Sequence, residues 1–88
     1  MSKIDNLHEK LYRVPSPKDF LFRELITVLE HYGCIYYEQK GGSSHKYFVY
    51  TLASGEEFRL SIARPHPDKG LKPYQFKAIK EFMHETGI

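Results

Sequence analysis

The stretch Lys40-Gly41-Gly42-Ser43-Ser44-His45-Lys46-Tyr47-Phe48-Val49-Tyr50 decides the reading of the fold, because in it a glycine turn passes into a strand at a histidine. Phe48, Tyr50 and Leu52 form one apolar row at a strand's period of two, which puts His45 in the opposite, solvated row. The glycines ahead of it can take positive φ and let a ligand approach the backbone, and consecutive N–H groups in such a turn can cradle an anion. An imidazole beside an anion cradle suits cleavage of a phosphate ester. The same string also fits an ordinary hairpin loop followed by a surface histidine, so its neighbours must decide.

On the N-terminal side, Cys34 to Gln39 is rich in β-branched and aromatic residues and predicts a strand that the Gly41-Gly42 turn joins to a second, over about residues 45 to 52. On the other side Ala53-Ser54-Gly55-Glu56 predicts a hairpin turn. A third strand follows, with Phe58, Leu60 and Ile62 alternating against Glu57, Arg59 and Ser61. One face of this antiparallel sheet is therefore expected to be core and the other solvated.

Helices flank the strands. Ser16-Pro17-Lys18-Asp19 reads as a start, with Ser16 as N-cap and Pro17 in the first turn, and Phe22, Leu25, Ile26 and Leu29 make an apolar stripe that Gly33 ends. This predicts a first helix over about residues 17 to 31. The two prolines of Arg64-Pro65-His66-Pro67-Asp68-Lys69-Gly70 make that segment a loop. A second helix begins near Pro73, buries Phe76, Ile79, Phe82 and Met83, and ends at Gly87. Ile4, Leu7 and Leu11 stand at helical spacing in a segment readable as a short accessory helix or an arm. The expectation is an arm or short accessory helix over residues 1–15 and an α+β domain over 16–88, with three antiparallel strands and two helices on one sheet face.

A chain of 88 residues with seven Tyr and six Phe supports one modest core. No apolar run approaches the ~18 residues of a membrane span and no secretory h-region is visible, so a cytoplasmic protein is expected. The single cysteine, Cys34, follows a helix-ending glycine and reads as a small core residue. The net charge of +2 is unevenly placed: residues 1–39 carry five basic and six acidic side chains, residues 40–80 eight basic and three acidic. The half holding His45 is thus the basic half, as a polyanion-binding surface requires, although a solvated lysine face has the same composition. The five histidines show no paired ligand spacing, so neither a metal nor a cofactor is expected.

From about Asp19 to Ile88 the chain resembles the HicA family of mRNA-cleaving toxins of bacterial toxin–antitoxin systems. The similarity rests on His31-Tyr32-Gly33-Cys34 at the end of the first helix, on Lys40 to Phe48 as the glycine-serine-histidine motif, and on Arg64-Pro65-His66-Pro67 followed by Gly70-Leu71-Lys72-Pro73-Tyr74-Gln75. There are two departures: an extra serine precedes His45, and Tyr74-Gln75 replaces the glycine-threonine of other branches. The resemblance implies an αβββα double-stranded-RNA-binding-like fold, a catalytic role for His45, mRNA as substrate and a HicB-type antitoxin as partner.

Metal-free RNA cleavage lets the 2′-hydroxyl attack its own phosphate. It needs a base, a charge stabiliser and a proton for the leaving oxygen. An unperturbed imidazole titrates near ~6.5, so His45 can be that base. Lys40, Lys46 and Arg59 are candidates to neutralise the phosphate, with Gly42, Ser43, Ser44 and Lys72 as further RNA contacts. Tyr47 shares the parity of His45 and could stack a base, whereas Tyr50 belongs to the core row. His66 is a loop residue that could serve as acid or substrate contact. Two other readings fit the same composition: a non-cleaving RNA-binding module, and a protein-interaction domain that takes no RNA.

Overall fold

The computed structural model describes residues 3–38, 45–63, 65 and 69–88, and for His45 the backbone alone. The elements are α1 (Lys3–Tyr12), α2 (Phe22–His31), β1 (Ile35–Glu38), β2 (His45–Thr51), β3 (Glu57–Ala63) and α3 (Pro73–Thr86). The strands form one antiparallel sheet in the order β1-β2-β3. This is an α+β fold with the expected sheet and three helices rather than two.

The register fixes the two faces. Phe48 pairs with Tyr36 and Leu60, Tyr50 with Phe58, and Lys46 with Glu38 and Ile62, so these residues share the face that receives the helices. Phe48, Leu60 and Ile62 are buried there against Leu25, Val28 and Leu29 of α2 and Phe76, Ile79, Phe82 and Met83 of α3. The opposite row holds Ile35, Tyr37, His45, Tyr47, Val49, Thr51, Glu57, Arg59, Ser61 and Ala63. Glu57, Arg59, Ser61 and Ala63 are exposed along β3, as the sequence alternation predicts.

Helix α2 starts at Phe22, five residues later than the Ser16-Pro17 signal indicates. Tertiary contacts override that local cap. Phe20 is fully buried with its ring edge-on to Phe76 at 5.8 Å, and its carbonyl accepts the Leu71 N–H at 2.8 Å, so residues 18–21 run beside the 69–72 segment instead of coiling. Gly70 allows this approach, because a Cβ there would strike the Lys18 carbonyl. The helix is capped instead from within: Glu24 reaches back to accept the Leu21 N–H at 3.0 Å, satisfying a donor that the helix leaves unpaired. At its other end the Cys34 N–H donates to Leu29 at 3.0 Å, and Gly33 takes φ +99°, the left-handed conformation that closes such a terminus.

The N-terminal segment is a helix, not a loose arm. A ten-residue helix is marginal in isolation, and α1 is held by the full burial of Leu11 and near-full burial of Leu7 in the shared core. Cys34 is buried beside the same core, and burial pushes its thiol up to about 11. No helix among the described residues is long and apolar enough to cross a membrane.

Candidate functional site

The site is assembled where β2 begins and β3 ends. His45 is the first residue of β2 and its backbone pairs with Ala63, the last of β3. Two residues along β2, Tyr47 lies in the same row. Its ring stacks on Tyr37 of β1, with centroids 5.0 Å apart and planes 14° apart. On the other side of Tyr47 the Arg59 guanidinium lies 4.3 Å from the ring centroid, a cation–π contact between β3 and β2. Arg59 pairs with Val49 in the register, so it reaches Tyr47 on the diagonal. Three strands thus contribute one side chain each to a column Arg59, Tyr47, Tyr37 on the solvated face.

Lys46 stands elsewhere. Its parity is that of Phe48, and its amine lies on the helix-covered side at 4.0 Å from the Glu38 carboxylate, which also accepts the Tyr36 hydroxyl at 3.1 Å. Adjacency to His45 in sequence is opposition across the sheet, because successive strand residues face opposite ways. Of the cations expected around the histidine, Arg59 shares its row and Lys46 does not. Among the described residues Arg59 makes no ion pair, which leaves its charge available to an anion.

Lys72 is joined to this end of the sheet by a residue the sequence reading treated only as a departure from a motif. Gln75 is buried at 4 % exposure; its Oε1 accepts the Lys72 N–H at 2.9 Å and its Nε2 donates to the Ala63 carbonyl at 2.9 Å. One amide therefore caps α3 and ties that helix start to the strand end opposite His45. The available signal was positional, since a glutamine three residues after the residue preceding Pro73 is a capping pattern. Tyr37 was missed as well, and only the β1–β2 register reveals that it meets Tyr47.

Lys40, Gly42, Ser43, Ser44 and His66, together with the His45 side chain, lie outside the described residues. Among the described residues there is no group of three or more His, Cys, Asp or Glu side chains able to hold a metal ion. Among the described residues the arrangement offers a strand that opens at position 45, a guanidinium in no ion pair and an aromatic pair on one sheet face. Such a surface can stack planar rings and hold a phosphate.

Comparison with curated proteins and with solved structures finds no match to the chain. A family model described as the HicA toxin of bacterial toxin-antitoxin matches residues 22–88, the span from the start of α2 through the whole sheet and α3. On that match the chain belongs to the HicA family of bacterial toxin–antitoxin toxins.

Proposed function

We propose that this HicA-family chain is an endoribonuclease that cuts mRNA without a metal ion, acts in the cytoplasm, and is restrained by a HicB-type antitoxin. The observation that supports the reading is that the backbone of position 45 opens β2 opposite Ala63, two residues before Tyr47, whose ring Arg59 meets. His45 takes the proton of a 2′-hydroxyl, the 2′-oxygen bonds to the adjacent phosphorus, and the bond to the 5′-oxygen breaks. That oxygen leaves with a proton from a general acid, for which His66 is the candidate. The products are a 2′,3′-cyclic phosphate and a 5′-hydroxyl. Arg59 offsets the charge that builds on the phosphate in the transition state. Lys40, Gly42, Ser43 and Ser44 supply anion contacts ahead of β2, and Lys72 adds one at the start of α3.

General-base catalysis by a positioned imidazole contributes about 10² to 10⁴ in rate, so a modest constellation suffices. The experiment is induced expression of the chain in a bacterial host, with and without a HicB-type partner gene, scored for growth and for cut transcripts. Arrest with cleaved mRNA, relieved by the partner, is the expected result. Normal growth with intact transcripts at high expression would overturn the nuclease reading and leave a binding module on the same fold.

A further inference from the structure

The column on the open face ends at Tyr37, and its chemistry specifies a ligand. β1 is an edge strand, Tyr37 is 41 % exposed, and among the described residues its ring stacks on no other ring than Tyr47. Among the described residues no second ring covers Tyr37, so it can take a further planar partner. Tyr47 is fixed between Tyr37 and Arg59, so the two rings are already parallel and need no rearrangement to accept a third. The far end of the column carries the Arg59 guanidinium, which makes no ion pair among the described residues, and Thr51 and Ser61 in the same rows are exposed and polar. A surface of near-parallel rings with a guanidinium and hydroxyls on one face matches an RNA strand, which carries π faces and phosphates in succession, better than an apolar protein segment.

We infer that Tyr37 is the end plate of an Arg59–Tyr47–Tyr37 column that stacks an unpaired nucleobase of the RNA substrate. Resting on the nuclease reading, this names what that site binds. A duplex cannot offer the ligand, because its base faces are already stacked on one another. The strand rise of ~3.4 Å per residue separates Tyr47 from His45 by about 7 Å along β2. A base on the column therefore brings the sugar-phosphate backbone of the same or the next nucleotide to the start of β2. Tyr37 acts as a positioning and specificity residue.

The test uses the full chain carrying His45→Ala, which holds RNA uncut, and a short single-stranded RNA containing 2-aminopurine. Fluorescence quenching reports stacking, and titration gives affinity. Tyr37→Ala is expected to abolish the quenching and weaken binding about 5- to 150-fold, the range for one base–aromatic stack, while Tyr37→Phe stays within about 2-fold of its parent. Affinity for the same sequence as a duplex should not respond to either change. Tyr37→Leu, which keeps an apolar side chain on the edge strand but cannot stack, should behave as Tyr37→Ala and guards against a folding defect. Equal binding and quenching in parent, Tyr37→Ala and Tyr37→Leu would overturn the column, leave the nuclease reading intact, and assign the open face to a protein partner. No RNA binding by the parent, with no cutting by the unsubstituted chain, would overturn both.

Discussion

Replacing Gln75 tests how the helical layer is locked to the end of the sheet where His45 stands. The side chain is buried and makes two hydrogen bonds of 2.9 Å, one to the Lys72 N–H and one from its Nε2 to the Ala63 carbonyl. A neutral hydrogen bond contributes about 1 kcal/mol net, and Lys72 and Ala63 are exposed, so water can partly replace the lost partner at each. The two bonds together are then worth about 2 kcal/mol. Gln75→Ala adds a cavity cost on top, whereas Gln75→Met keeps the volume and isolates the hydrogen bonds. In a chain of this size each kcal/mol moves the melting temperature by about 4–8 °C, so Gln75→Met should melt about 8–16 °C lower and Gln75→Ala lower still. Circular dichroism melts measure this, and hydrogen exchange should show faster opening at Phe76 and the first turn of α3. A Gln75→Met protein that melts with its parent and exchanges at the same rate would refute the reasoning.

Three further outcomes follow from particular contacts. Gly70→Ala should destabilise the fold by about 1–3 kcal/mol, read by urea denaturation, because its Cβ would strike the Lys18 carbonyl and force residues 18–20 away from the loop. Cys34, whose thiol burial pushes from the usual 9.0 to about 11, should be alkylated by iodoacetamide far more slowly in the native protein at pH 8 than in denaturant. Because its folded pKa is raised, the stability tied to the neutral thiol is complete below about pH 9 and is lost as pH rises toward 11, so urea midpoints should fall across that window more steeply in the parent than in Cys34→Ala. RNA affinity should fall steeply with salt, with a log–log slope of about 0.7 per contacted phosphate, and Arg59→Ala should reduce that slope by about one contact, measured by fluorescence anisotropy from low to moderate salt.

What was legible in the sequence had strong periodicity. The alternation in β3 and the Phe76, Ile79, Phe82, Met83 stripe of α3 are properties of short windows, and the buried residues follow them. The misplaced start of α2 arose because Ser16-Pro17 is a good local signal, while the burial of Phe20 and its hydrogen bond from Leu71 depend on a segment some fifty residues away, beyond any local window. The accessory segment was undecidable from its own residues, since α1 is stabilised by Leu7 and Leu11 entering a core built by other elements. Site membership divided in the same way. Tyr47 was visible from parity with His45, and parity also placed Lys46 with Phe48, although closeness in sequence made it look like a neighbour of the imidazole. Arg59 was a candidate from its charge and its solvated row, but its contact with Tyr47, like the place of Tyr37, needed the pairing register, which turn lengths and core packing set together.

Whether His45 supplies chemistry or structure is decided by comparing His45→Ala with the unsubstituted chain in cleavage of a labelled RNA and in thermal melting. Position 45 opens β2 in the solvated row opposite Phe48, so its truncation should open no core cavity and should change stability by no more than ~0.5 kcal/mol. The account predicts cleavage slower by about 10² to 10⁴ with an overlapping melting curve. Cleavage at the parent's rate would contradict the catalytic assignment, and a protein that fails to fold would make His45 a structural residue.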